Sequence, residues 1–263
     1  MGISTLGTTP SSTLGYVGLR LAVAWQHPGT RRITAVGLLT CDESSYAFSY
    51  LRSASLVKDF QPFIGFPDFD QRYEAHTLFP LFAQRIMRSS RPDFERYREA
   101  LRLEPEPSDW AILGRSQGQR EGDGIRVFPE PDVDQDGLTT STFFVSGLRH
   151  RMQQDRRVSE SLAALAPGDR LTLVDEPTND QDARALLVAE RTGLALAWVP
   201  SLLLSYVHAV RSTAPPVLTV AGTNGVDVPP AYRLLVTLDG AVPVGYRPFD
   251  GPDWAPASQV AAV

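Results

Sequence analysis

Apolar and polar positions along this chain fall into short runs, and none reaches the roughly 18 apolar residues that a membrane-spanning helix needs. GYVGLRLAVAW (16–26) predicts a strand. ITAVGLLTCDESSYAFSYL (33–51) predicts a hairpin: Val36 and Leu38, a polar turn at Asp42–Ser45, then Tyr46, Phe48 and Tyr50 with period two. FPDFD (66–70) is a proline-punctuated loop. LFPLFAQRIM (78–87) spaces Leu78, Phe82 and Ile86 as one helical face. PDFERYREALRL (92–103) predicts a second helix. Pro92, Asp93 and Glu95 lie near its start, and Phe94, Tyr97 and Leu101 form its apolar face.

EPEPSDW (104–110) predicts a turn or short helix. ILGRSQGQREGDG (112–124) is Gly-rich and polar, with GRSQGQREGDG (114–124) reading as a flexible loop, and IRVFPEP reads as a short strand ended by proline. PEPDVDQDGLTT (129–140) is acidic and proline-rich, the composition of a linker. The second half is dense in strand patterns: TFFVSGL (142–148), RLTLVDEP (170–177), ARALLVAE (183–190), LALAWVP (194–200), VLTVAGTN (217–224) and YRLLVTLDG (232–240). Two short helices are expected, SESLAAL (159–165) with Ser159 as cap and SLLLSYVHAVR (201–211) with Ser201 as cap. Several short strands with one or two helices predict a small, partly closed barrel. The expected order is a flexible tail at 1–15, an α+β cap-like domain at 16–131, a linker at 132–140, a barrel domain at 141–250 and a tail at 251–263.

Composition narrows the function. The formal net charge of −5 gives no overall basic field for nucleic acid, so such a site must be local. One cysteine, Cys41, excludes an internal disulfide or a multi-cysteine zinc site and fits a reducing cytoplasm. The N-terminal stretch lacks the charge and apolar core of a signal peptide, so a cytoplasmic location with no membrane partner is expected.

Enzyme motifs are not found. There is no GxxxxGK[ST] loop and no GxSxG elbow. The four histidines, His27, His76, His150 and His208, are scattered without ligand spacing. DVDQDG (132–137) opens like a calcium loop, but its twelfth position is Phe143 instead of a glutamate. No catalytic residue, metal or cofactor is assigned.

LRHRMQQDRR (148–157) is the densest basic stretch, with Arg149, Arg151, Arg156 and Arg157 against Asp155. Arginine forks suit phosphate oxygens, although a charge run between strands is equally a solvated loop. In EPTNDQDARALLV (176–188), Asn179 and Asp182 can contact a base edge and a sugar hydroxyl, or cap a tight turn through their own side chains. Trp198 is either core or a ligand platform.

In the second half FFVSGLRHR (143–151), ALAPGDRLTLVDEP (164–177), EPTNDQDARALLV and GLALAWVPSLLLSYV (193–207) occur in order, and EPxNxxDxxAxxV is the strongest element. Residues ~141–237 thereby resemble a HIRAN domain. The resemblance implies an α+β protein whose second domain is a partly closed, OB-like β-barrel with short helices. It also implies non-catalytic binding of single-stranded or end-bearing DNA, in repair, processing or defence. Relatives are accessory domains of ATP-dependent helicases, and one captures the 3′ end of single-stranded DNA.

Carried over by position, the nucleic-acid-binding residues are Arg149, His150, Asn179, Gln181 and Asp182, and Arg151 of the basic stretch, Trp198 and Ser201 are counted with them as nucleic-acid-binding. Gln181 stands where the 3′-end reader has an aromatic, and it stacks poorly on a base. That departure bears on end-specificity more than on nucleic-acid binding itself. In the first half YAFSYL (46–51), FIGFPDFDQRYEAHTLFPLFAQRI (63–86) and WAILGRSQGQREGDGIRVFPEP (110–131) resemble, more faintly, the N-terminal subdomain of HipA-type kinases, with no catalytic lobe. This implies an alternative role as a protein-interaction module partnering a HipA-like kinase or a helicase.

Overall fold

The computed structural model describes residues 20–42, 45–120 and 122–258. The expected tail at 1–15, the start of the first strand and the last five residues lie outside the described residues. Strands β1 (Arg20–Gln26), β2 (Ile33–Cys41), β3 (Tyr46–Tyr50) and β4 (Tyr73–Ala75) are followed by helices α1 (Pro80–Ala83), α2 (Phe94–Ala100) and α3 (Asp109–Arg115). Strands β5 (Ile125–Pro129), β6 (Asp132–Val133) and β7 (Leu138–Phe144) lead to helices α4 (Leu148–Gln154) and α5 (Arg156–Ala164). The rest is β8 (Arg170–Asp175), β9 (Leu186–Ala189), β10 (Ala195–Trp198), α6 (Leu204–Thr213), β11 (Val217–Thr223) and β12 (Leu234–Ala241).

The fold is α+β, with two antiparallel sheets. The first has the order β4-β3-β2-β1-β5, the second β10-β9-β8-β11-β12-β7-β6. Just past β7, Ser146 forms an antiparallel bridge to Trp198 at the other end of the second sheet. Its two backbone hydrogen bonds are 2.8 and 2.9 Å long.

Strand β1 buries both faces, which is why RLAVAWQ reads as an apolar run without clean alternation. Leu21 and Val23 enter an aromatic cluster with Phe48, Tyr50, Phe60, Phe63, Phe66 and Phe82. Ala22 and Ala24 point the other way, into the core formed by the second half. Their small side chains let the two sheets approach. Leu38, Leu51 and Phe128 join the same core from the first half.

Several expectations change. The segment read as a linker is a hairpin: β6 pairs with β7, and Asp134 Oδ1 accepts the backbone N–H groups of Asp136 and Leu138 across its turn. Acidic residues that suggested a linker serve there as turn acceptors. The start of the Gly-rich segment is not a flexible loop, for Gly114 and Arg115 complete α3 and Ser116 and Gln117 are buried. Gln117 and Gly118 turn the chain with φ of 57° and 56°. The Ser116 carbonyl accepts from Tyr232 Oη at 2.9 Å, and Val127 N donates to the Gln117 carbonyl at 2.8 Å.

Helix α1 stops at Ala83 and α2 at Ala100, where Arg102 soon takes a left-handed φ of 55°. Helix α5 begins earlier than expected, capped by the Asp155 carboxylate on Arg157 N and not by Ser159. Ser201 caps nothing. It opens a 3-10 turn, Ser201–Leu203, that leads into α6. The segment expected to be a tail is held through residue 258: Pro256 bridges Leu51, and Ala257 N donates to the Tyr50 carbonyl at 2.8 Å.

Candidate nucleic-acid interface

The charge run at 148–157 forms α4 and the first turn of α5, which meet at the extended Asp155. Gly147, with φ of 72°, sits at the N-cap of α4 directly after the Ser146 bridge. A Cβ on Gly147 would lie 2.5 Å from Cε3 of Trp198, so glycine lets the helix start pack flush against the indole. Trp198 is half-buried, and one side of it meets α4. The His150 ring lies 6.1 Å from it at 34°, and the Arg151 guanidinium sits 5.6 Å from the ring centroid. Arg151 also donates from Nε and Nη2 to the Ala195 carbonyl, at 3.2 and 3.0 Å. It braces Trp198 as well as carrying charge.

Below the indole the β8–β9 loop closes on itself. Glu176 Oε2 accepts from Trp198 Nε1 at 2.6 Å and from Asn179 Nδ2 at 2.5 Å. Asn179 Oδ1 accepts the backbone N–H groups of Gln181 and Asp182, at 2.9 and 3.2 Å. Both polar atoms of Asn179 therefore serve the turn, the local role weighed from the sequence. Asp182 Oδ1 accepts from Arg184 N at 2.8 Å. Partial burial works against its ionisation, but the Arg184 N–H and guanidinium, with Arg32 nearby, hold its carboxyl below the usual range.

These elements border a cleft of about 900 Å³. It gathers six of the eight expected residues: His150, Asn179, Gln181, Asp182, Trp198 and Ser201. Arg149 is exposed on α4 outside the lining, and Arg151 stands behind Trp198.

Sequence reasoning missed Arg31 and Arg32 on the β1–β2 turn, Arg184, Asp253 and Trp254, all of which line the cleft. No local motif marks them, because the fold brings them from distant segments. Glu176 is different. It is part of the EPTND motif, and its two neighbouring donors could have singled it out. The lining carries Arg31, Arg32 and Arg184 against Asp180, Asp182 and Asp253, so its formal charges cancel. The cleft is not a basic funnel.

Among the described residues no group of three or more His, Cys, Asp or Glu side chains is placed to hold a metal ion. No described helix is long and apolar enough to cross a membrane. Burial pushes the Cys41 thiol above its ordinary pKa, the opposite of an activated nucleophile. No family model, curated protein or solved structure matches the chain.

Proposed function

We propose that this protein is a non-catalytic nucleic-acid-binding protein that takes a single strand, or the frayed end of a duplex, into the cleft beside Trp198. The observation that carries this reading is the convergence of His150, Asn179, Gln181, Asp182, Trp198 and Ser201 on one cleft. Their ordered motif, with its HIRAN resemblance, and the near-closure of the second sheet at the Ser146–Trp198 bridge support an OB-like barrel. Barrels of that kind bind strands by stacking and by backbone contacts. The balanced charge of the lining favours recognition of a base and sugar over bulk attraction to phosphate. Asp182, kept ionised, is an acceptor for a sugar hydroxyl, and the exposed Arg149 is a phosphate contact at the rim.

The test is binding of labelled oligonucleotides with 3′-OH, 3′-phosphate and blunt duplex ends across a salt series. Preference for single-stranded ends, weakened by Arg149→Glu and by Trp198→Ala, supports the reading. No binding at low salt overturns it. Arg151 is a poor target for this purpose because its substitution also removes the brace on Ala195 and Trp198.

A second reading, a protein-interaction module for a helicase or a HipA-like kinase, draws on the same cancelling charges, which suit a mixed-charge peptide. A pull-down that recovers no stable protein partner while DNA is retained counts against it.

A further inference from the structure

Resting on the reading of the cleft as a strand-binding site, we propose that the first half and the C-terminal segment complete it. Trp254 supplies a second stacking face, and Arg31 and Arg32 grip the phosphates of a single-stranded nucleic acid.

Three observations point the same way. First, Trp254 lines the cleft with Trp198 yet comes from the 3-10 turn Pro252–Trp254. It is half-buried, stacked on Phe249 with centroids 4.4 Å apart at 31°, and so is presented as a fixed plane. The turn is itself anchored, because Arg52 N donates to the Ala255 carbonyl at 2.9 Å and Pro256 bridges Leu51. Gln181, on the same lining, offers a strand no ring; Trp254 does.

Second, Arg31 and Arg32 are exposed at the rim, and among the described residues neither lies within ion-pairing distance of a carboxylate. Arg184, by contrast, is committed to Asp182. Third, Arg31 holds a left-handed φ of 62°, a conformation arginine rarely adopts, while its N–H donates to the His27 carbonyl at 2.9 Å. The turn thereby places two adjacent guanidinium groups beside a cleft whose volume is near the top of the ~300–1,000 Å³ range of ligand sites.

The occupant is a strand and not an isolated base. Two indoles in one cleft suit successive bases, and paired arginines suit the phosphates between them. Arginines of this kind act mainly through counterion release, so they appear in the salt dependence.

The experiment uses the full chain and fluorescein-labelled 12-mers of DNA and of RNA of the same sequence, read by anisotropy across a potassium chloride series. Replacing Arg31 and Arg32 together by serine is expected to lower the slope of log K against log salt by about 0.7 for each arginine. Trp254→Ala is expected to weaken binding roughly tenfold or more, and Trp254→Phe to retain most of it. If Trp254→Ala melts early by circular dichroism, Trp254→Leu, which fills the site without a ring, and the exposed arginine pair decide. Parent-like affinity in Trp254→Ala together with a parent-like slope in the arginine pair, with binding still lost in Trp198→Ala, overturns this inference alone. A parent protein that binds neither oligonucleotide at low salt overturns it together with the reading of the cleft. The DNA and RNA arms show which sugar the site accepts.

Discussion

The backbone of Gly147 lies so close to Trp198 that one added methyl group would sit 2.5 Å from the indole Cε3. Gly147 also has φ of 72°, where a side chain is strained. Gly147→Ala should therefore lower stability by about 1–3 kcal/mol and shift the indole. Urea denaturation and tryptophan fluorescence check both effects. Unchanged stability would contradict the close approach.

Glu176 joins two donors from different elements, Trp198 Nε1 and Asn179 Nδ2. Glu176→Ala leaves both without their acceptor and should cost about 1–3 kcal/mol. Glu176→Gln keeps a carbonyl acceptor and should cost less. Equal losses in the two variants, measured by thermal denaturation, would show that the acceptor is unimportant.

The site was partly legible in the sequence because its turn chemistry is local. EPTNDQD (176–182) places Glu176, Asn179 and Asp182 within a few residues, and their spacing anticipates the Asx-type turn that forms. Periodicity likewise exposed the β2–β3 hairpin and most strands of the second half. Helix α4 was not legible: LRHRMQQ has one buried residue, Leu148, and its start depends on Gly147 meeting an indole some fifty positions later. Arg31, Arg32 and Trp254 were invisible for the same reason, since only tertiary packing carries them to the cleft.

Tyr50 anchors the aromatic cluster. Its hydroxyl donates to the Phe66 carbonyl at 3.0 Å and accepts from Phe63 N at 2.7 Å. Burial pushes its pKa up to about 12, partly opposed by the Phe63 N–H. A raised folded-state pKa gives a contribution present below the ordinary tyrosine value near ~10 and lost as pH rises through the folded value. Stability should thus decline between those values, and Tyr50→Phe should abolish this part of the decline while costing about 1–3 kcal/mol at neutral pH. Chemical denaturation at several alkaline pH values reads both.

Arg85 is buried and holds Asp123 with two hydrogen bonds, of 3.0 and 2.5 Å. Asp123→Ala should destabilise the protein by about 3 kcal/mol or more, because it strands a buried guanidinium. A loss under 1 kcal/mol in urea denaturation would mean that solvent or another acceptor reaches Arg85.

Ser161 on α5 donates to Glu190 Oε2 at 2.5 Å, and Thr192 donates to Oε1. These bonds, Ser161 first, hold the Glu190 carboxyl below its ordinary range against a smaller effect of burial. A lowered folded-state pKa contributes stability above roughly pH 4.3, which fades as pH falls through the folded value. Ser161→Ala should raise the Glu190 titration midpoint followed by NMR. An unmoved midpoint would remove Ser161 as the cause.

The contacts of Ser49–Arg52 with residues 255–258 join positions more than two hundred apart, as in Arg52 Nε to the Pro256 carbonyl and Ser258 Oγ to Ser49 Oγ. Closing so long a loop costs more chain entropy than any hairpin in the molecule, so we expect this clasp to form late in folding, which φ-value analysis of Arg52 and Ser258 variants would read as values near zero. On that order a folding chain would acquire the Trp198 wall of the cleft from the second sheet first, and the Trp254 wall only when the clasp shuts.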